Sequence, residues 1–578
     1  MQKYTLHSLR VRMICFVLAA ALVFTMLFVR LAVLQLVDGQ KLQARAAEQW
    51  LRDLPVTPER GLITDRNGVL LAGNRAVYSV YVRPNAVEDK ARVTAFLAEV
   101  LELDSAWLSE RLGGKNVSEI TIARQVEKEN ADKIILEGLK GVYLSIDNER
   151  VYPLSDSLAQ VLGYVSVDNS GQGGLELYYD EYLRGVEGKV LSQSDLLGRE
   201  LDGAERLYLA PVSGMTLELT IDSVIQRIAE NAMDHAMKVH SPVAARAMVM
   251  DVQTGEILAM ANRPSLDLNN LPRDDLALLN SLSRNSLAVD IFEPGSTFKI
   301  FTVAANLEEY SRGNKNAFST SHIFTNASRL RVVDGQIIKC WDKHSNGKHF
   351  NQNIQKALNN SCNPIFVDIA LALGRETFYD YIEKFGFGKP TGLDFPGEQG
   401  GLLLPESTVK NCDLARIGFG QTIALTPLQL LAGTAAVVNG GRYYSPHLVR
   451  SIYSADGLTA KRVYPAQKTR VISEDTSAKM RELLENVVTE GSGKNAYIQG
   501  YRVGGKTGTA QKYENGRIAQ GKYVSSFVGF FPANNPQYAA LVIVDEPVGQ
   551  HYGSMVAAPF CRQIFEQIIT YKNIPMPA

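Results

Sequence analysis

The longest apolar stretch of the chain lies close to its start. Met13 to Val29 carries no charge, and apolar residues continue past Arg30 to Val37. Those 25 positions predict a helix long enough to cross a bilayer with a slight tilt. Lys3, Arg10 and Arg12 precede it with no acid among them, which predicts residues 1–12 as a cytoplasmic tail and residues 13–37 as a transmembrane anchor. Arg30, Gln35 and Asp38 stand where a small-residue cleavage site would be needed, so the segment reads as a retained anchor rather than a removed signal peptide. The remaining chain is then expected outside the membrane.

From residue 40 to 215 the pattern is mixed. Leu62 to Leu71 reads as a hairpin turning at Asn67-Gly68, and Val77 to Val82 as a plain strand. Glu88 to Leu112 and Ser157 to Leu162 read as helical, and Gly171 to Gly174 as a loop. No nucleophile–base pair occurs here, so a structural or docking domain is expected. The character changes at Leu217 to Asp222, a short strand leading into a helix over Ser223 to His240, which Ser241-Pro242 closes. A hairpin follows, Arg246 to Asp251 and Glu256 to Ala261. Three late strands, Tyr501 to Thr509, Tyr523 to Phe531 and Tyr538 to Asp545, precede a last helix over 557–572. The expected fold of residues 216–578 is α/β (α+β): a five-stranded antiparallel sheet assembled from both ends of the domain and flanked by helices.

One helix in that domain is apolar nearly all round. Phe298, Ile300, Phe301, Val303, Ala304, Ala305 and Leu307 follow the break at Pro294-Gly295, which predicts a buried helix. Ser296 falls in its first turn, among amide N–H groups with no partner inside the helix. Lys299 lies three residues on, one turn away on the same face. A lysine can take a serine's proton if burial and a nearby cation lower its pKa. Roughly two or three Ser-x-x-Lys patterns arise by chance in a chain this long, so the pair needs support from elsewhere.

Composition narrows the field. At 578 residues more than one domain is expected, and a net charge of −1 leaves no basic footprint for nucleic acid. The five cysteines lack the close pairing of a zinc ribbon or thioredoxin-type motif. Cys340, His344 and His349 are scattered over a Gly- and Lys-rich loop, a poor metal set, and no metal or cofactor is expected. Gly500 to Thr507 matches the phosphate-loop pattern letter for letter. It lacks the preceding strand and following helix that a phosphate loop requires, so nucleotide binding is set aside.

The support comes from two further triplets. Ser361-Cys362-Asn363 lies in a loop marked by Asn and Pro, with Ser361 and Asn363 able to face one pocket. Lys506-Thr507-Gly508-Thr509 reads as a strand whose two threonines share a face and could hold a carboxylate, while Gly508 leaves room for a substrate backbone. Ser361 lies 65 residues beyond Ser296, and Lys506 another 145. The three motifs in that order are rare together.

In these motifs the chain resembles the penicillin-binding serine transferases, in particular the class B monofunctional peptidoglycan D,D-transpeptidases of division and sporulation. Arg284-Asn285, Phe292 to Lys299, Gly418-Phe419-Gly420-Gln421 and Thr426 to Gln429 are similar to the family's active-site blocks. Arg60-Gly61, Asp65 to Gly68, Arg150 to Pro153 and Gly174-Leu175-Glu176 are similar to its pedestal motifs; Cys340-Trp341 and the Ser-Cys-Asn triplet resemble those of sporulation members. The resemblance implies Ser296 as nucleophile, Lys299 as base beside a second cation at Lys506, and Ser361 as proton relay. It also implies Asn363 on the donor peptide's amide, and Thr507, Gly508 and Thr509 as the substrate-binding strand. Peptidoglycan stem peptides and β-lactams are the implied ligands. A polytopic membrane glycosyltransferase, with divisome or sporulation proteins, is the implied partner of the dimerisation or docking domain at 40–215. A D,D-carboxypeptidase, a β-lactamase and a non-catalytic β-lactam sensor or scaffold would use the same residues. Cys340 and Cys362 would form a redox pair if the intervening loop brings their Cα atoms within about 4.4–6.8 Å.

Overall fold

The protein is described by a computed structural model over residues 6–42, 51–113, 119–193, 207–325, 329–341, 349–457, 460–462, 469–514 and 517–576. Helix α1 spans Leu6–Ala32 and runs on as a wider-turn segment, Val33–Val37. Phe16, Phe24 and Phe28 along it are exposed, and its most apolar window is not buried against protein. Length and composition suffice to cross a membrane.

The chain forms two compact units. The smaller comprises Met1–Glu59, Ala76–Asn148 and Val186–Val212. Its core gathers Val80, Val82, Leu97, Leu108, Ile122 and Ile134. The expected helix over 88–112 is two, Lys90–Val100 and Ser105–Gly113. The break follows from Asp104, whose carboxylate takes the N–H of Ala106 and starts a new helix. A separate three-stranded sheet joins Leu51–Val56, Gly188–Gln193 and Leu207–Leu209.

The larger unit comprises Arg60–Arg75, Glu149–Gly185 and Ser213–Ala578. Ile63, Leu71, Leu162 and Leu175 from its first two segments share a core with Leu217 and Leu219. Its main sheet has strands β1 (Ala244–Asp251), β2 (Ile257–Arg263), β3 (Gly504–Glu514), β4 (Arg517–Phe531) and β5 (Tyr538–Asp545). Every neighbouring pair is antiparallel, in the order β2-β1-β5-β4-β3. The two early and three late strands therefore meet as the hydrophobic pattern predicts. β3 runs five residues further than expected, to Glu514.

Side chains alternate between the two faces of the sheet. Ala245, Ala247, Val249, Ala540 and Val542 face α2 (Ser223–His240) and the last helix, residues 558–572. The small residues of β1 meet Ala229, Ala232 and Ala236 of α2, so that helix can lie close to the sheet. Met248, Met250, Leu541 and Ile543 face the opposite way, into the core shared by α3 (Lys299–Ser311), α4 (Asn363–Leu373) and α5 (Pro427–Val438). α3 is buried from Lys299 through Glu308, as its all-round apolar pattern requires. Its charged and polar side chains are therefore the ones that need a reason to be there.

Candidate active site

Ser296 stands in a short 3-10 turn, Gly295–Thr297, that leads directly into α3. The turn is clamped from two sides. Gly295 N–H donates to Gly420 O at 3.0 Å, and a side chain on Gly420 would come within 2.0 Å of Gly295 O. Gly420 also has a φ of +84°, so the segment 418–421 needs glycine there for both reasons. On the other side β3 passes the turn. A Cβ on Gly508 would lie 2.4 Å from Ser526 Oγ and 3.0 Å from both Pro294 O and Thr297 Cγ2. The space opened by the missing side chain is thus filled by protein, so Gly508 is also what lets β3 pass this close to the turn.

Lys299 is completely buried and joins the motifs. Its Nζ lies 3.0 Å from Ser296 Oγ, 3.0 Å from Ser361 Oγ, 2.8 Å from Ser361 O and 2.7 Å from Asn363 Oδ1. Two of those four partners are carbonyl oxygens, which can only accept. A neutral amine satisfies them with its two N–H bonds and keeps its lone pair for a hydroxyl proton. An ammonium's three donors would also find acceptors among the four oxygens, so what distinguishes the neutral form is its free lone pair. Burial brings the Lys299 pKa down from 10.5 to about 8. Burial and a nearby cation were both expected to contribute. Burial dominates, and the repulsion between the two lysines acts on Lys506, which burial and then Lys299 hold well below the ordinary lysine range.

Ser361 bridges the two lysines, with Lys506 Nζ donating to its Oγ at 3.2 Å. The expected loop is only three residues, 360–362, between the helix Ile354–Asn359 and α4. Asn363 opens α4 and Pro364 occupies its first turn, where a missing N–H costs nothing. Ser361 takes a φ of +53°, a conformation that a non-glycine residue holds only when its surroundings fix it. Part of that fixing comes from Trp341, which the chemistry of the motifs alone would not single out. Its Nε1 donates to both Asn360 O and Ser361 O at 3.1 Å. Asn363 Nδ2 donates to Lys339 O at 3.3 Å.

β3 forms the other wall. It is an edge strand, and among the described residues no strand pairs with its outer side. Thr507 Oγ1 lies 3.2 Å from Ser492 Oγ, and Thr509 Oγ1 accepts from Gly553 N at 3.0 Å. Ser492 and Gly553 carry no motif and were not foreseen. Ser296, Ser361, Asn363, Thr507, Gly508 and Thr509 all line one cavity of about 500 Å³, together with Trp341 and Tyr552. A larger cavity of about 1220 Å³ holds Arg246, Arg284, Glu293 and Lys512. Its lining includes neither Ser296 nor Ser361. The two share Ala510 and Gln511.

Cys340 and Cys362 are buried and not joined in a disulfide. His349 lies with them, and the three ligand atoms fall within 4.8 Å of one another. His344 lies outside the described residues. A hydrogen bond with Cys340, and then burial, hold the Cys362 thiol above its ordinary range.

Two family descriptions match the chain: "Penicillin binding protein transpeptidase domain" over residues 245–566, and "Penicillin-binding Protein dimerisation domain" over residues 55–219. The chain is 38% identical to the Bacillus subtilis (strain 168) protein named Stage V sporulation protein D, over 96% of this chain and 85% of that protein. It is 31% identical to the Mesostigma viride protein named Peptidoglycan D,D-transpeptidase FtsI homolog, over 95% of this chain and 94% of that protein. Among solved structures it is similar to a peptidoglycan synthetase from Bifidobacterium adolescentis ATCC 15703, with a TM-score of 0.73 and 25% identity, over 91% of this chain and 98% of that one.

Proposed function

The chain belongs to the penicillin-binding protein transpeptidases, and from that membership and the geometry of its site we infer a membrane-anchored peptidoglycan D,D-transpeptidase of division or spore-cortex wall synthesis. The observation that carries the reading is the placement of one buried lysine within hydrogen-bond reach of Ser296, Ser361 and Asn363.

Ser296 Oγ attacks the carbonyl between the two terminal D-alanines of a stem peptide, and neutral Lys299 takes its proton. Ser361, held between Lys299 and Lys506, passes a proton to the departing D-alanine nitrogen. The backbone N–H groups of Ser296 and Thr509 face the developing oxyanion, at about 3–4 kcal/mol per donor. Thr507 and Thr509 receive the terminal carboxylate, with Lys506 Nζ 3.4 Å from Thr507 Oγ1 behind them, and the donor peptide runs along the outer edge of β3 as an added strand. Asn363 Nδ2 is turned to the donor's amide side. The amine of a neighbouring stem peptide then takes the acyl group and frees Ser296. One peptide bond replaces another, so no ATP enters. A β-lactam would stop at the acyl-enzyme. Residues 13–37 would anchor the protein with residues 1–12 in the cytoplasm and residues 40–215 and 216–578 outside. Residues 40–215 would dock a polytopic membrane glycosyltransferase and divisome or sporulation proteins.

The test uses the full chain in detergent with a labelled penicillin and with a donor–acceptor pair of stem peptides. The expected result is a stable adduct on Ser296, absent in Ser296→Ala, and a cross-linked dimer peptide. An adduct on another residue would overturn the nucleophile. Release of D-alanine with only a hydrolysed donor would make the protein a carboxypeptidase instead.

A further inference from the structure

We propose that Cys340, His349 and Cys362 form a zinc site that fastens the back of the Ser361 turn to the chain segment carrying Trp341. The three side chains come from separate parts of the sequence and are all buried, at 4%, 2% and 0% exposure. Their ligand atoms lie within 4.8 Å of one another, with Cys340 Sγ 3.9 Å from His349 Nδ1. Zinc bonds of about 2.3 Å to sulfur and about 2.0–2.1 Å to nitrogen place the corners of a tetrahedron about 3.5–3.8 Å apart. Closing the present triangle around an ion therefore takes shifts of under about 1 Å. Two thiolates and an imidazole select zinc over magnesium or calcium, which take oxygen ligands. The thiols give up their protons to solvent on binding, and the resulting two negative charges balance the ion. Three protein ligands leave a fourth tetrahedral position.

The surroundings suit a fixed site. Gln352 Nε2 donates to His349 O at 3.0 Å, and Asn360 Nδ2 donates to Gln352 Oε1 at 2.8 Å. These bonds tie the histidine's backbone to the turn that carries Cys362. Such outer contacts orient metal ligands, and losing them typically costs about 10–100-fold in metal affinity. The position explains what the metal would do. Cys362 is flanked by Ser361 and Asn363, and Cys340 by Lys339 and Trp341. On the cavity side, those two neighbourhoods are already joined by Trp341 to Ser361 O and by Asn363 to Lys339 O. A zinc bridge would join the same two segments from behind. Ser361 would then be held in its left-handed conformation from both sides. The role is positioning: the ion touches neither Ser296 nor the substrate.

The test is made on the full-length protein in detergent, prepared with thiols protected, then depleted by a strong chelator and reloaded with zinc. We expect one zinc per chain by elemental analysis, lost in Cys340→Ser and Cys362→Ser and weakened by more than about 100-fold in His349→Gln, since losing only an outer contact costs about 10–100-fold. Chelation should raise the number of reactive thiols by two, lower the melting temperature, and slow penicillin acylation about tenfold or more. Zinc should restore all three readouts and magnesium none. Should the cysteine variants fail to fold, cobalt added to the depleted wild type must give the intense sulfur-to-metal absorption of thiolate ligands. Zinc content no higher in the wild type than in Cys362→Ser, absence of that absorption, or a Cys340–Cys362 disulfide in the thiol-protected protein would each overturn the site. Metal content is read without any acylation, and Ser296→Ala must bind zinc as the wild type does. A failed transpeptidase reading and a failed zinc site are therefore separable.

Discussion

Among the charged side chains that the larger unit buries, two groups are built on opposite rules. In the first, Arg60 and Arg150 close on Glu176. Arg60 Nε reaches Glu176 Oε2 at 2.6 Å and Arg150 Nε reaches Oε1 at 2.7 Å. Arg60 Nη1 adds Asp180 at 2.8 Å, and Arg150 Nη1 adds Asn74 Oδ1 at 3.1 Å. Each carboxylate oxygen faces a guanidinium, so the charges are matched and the geometry is fixed. In the second, Lys299 and Lys506 are buried with no carboxylate in hydrogen-bond contact among the described residues, and neutral oxygens surround them. A charge buried without an opposite charge responds by giving up its proton. Matched charges make a rivet, and an unmatched buried lysine has the means to act as a base.

The largest expected effect comes from removing the base. Lys299→Ala should lower penicillin acylation by about 10³-fold or more, because nucleophile and base act as a unit. Its melting temperature should stay close to the wild type's or rise, since an unmatched buried cation has gone. Stopped-flow acylation and a thermal scan measure the two quantities. A variant that is both unfolded and inactive would make Lys299 structural and dissolve the contrast. Glu176→Gln is the mirror experiment. It should cost about 3–5 kcal/mol in denaturant unfolding, as breaking a buried ion pair does, and leave acylation per folded molecule within about twofold. Lost acylation at full stability would place the arginine cluster in the chemistry.

The pH dependence sharpens the same contrast. Acylation needs neutral Lys299, so its rate should rise about tenfold per pH unit below about 8 and level off above. The folded-state pKa lies below the ordinary value of 10.5, so between about 8 and 10.5 the unfolded chain holds a proton that the folded one does not. Stability from this group therefore rises with pH across that window, by about 3 kcal/mol at most, and the full burial penalty is present below it. Lys506 acts in the same direction. A rate that is flat from pH 6 to 9 would remove Lys299 from the role of base.

Much of the base was legible in the sequence, and little of the rivet was. Motif spacing placed Ser296, Lys299, Ser361, Asn363 and Lys506 together because each sits on a short, well-marked element: a helix start, a two-helix turn, a strand. The five strands followed from alternation and flanking turns. Arg60, Arg150 and Glu176 were quoted as separate motifs, yet nothing in one dimension says that residues 116 and 26 positions apart share one carboxylate. For Lys299 the pattern predicted burial and a second lysine, and only the fold shows that both lysines are fully buried. The same holds for Gly508, whose spare volume is taken up by Ser526 and Pro294. His349 joins the cysteines through a loop whose path has no periodic signature.

The smallest effect tests whether burial alone makes the rivet. Asn74 and Arg150 belong to the buried cluster, and one position along each chain Arg75 meets Glu149, with N–O distances of 3.1 and 2.6 Å. Leu70–Val82 and Val142–Val151 are paired strands, so successive side chains point to opposite faces. Arg150 points inward, and Arg75 is 54% exposed. The two contacts thus use the same kind of group on the same pair of strands and differ chiefly in access to water. A double-mutant cycle over Arg75→Ala and Glu149→Ala should give a coupling of about 0.2–1 kcal/mol, falling further as salt is raised. The loss should stay well below that of Glu176→Gln, because neither Arg75 nor Glu149 is left desolvated when its partner goes. A coupling near 3 kcal/mol, insensitive to salt, would show that strand geometry rather than burial sets the strength of these pairs.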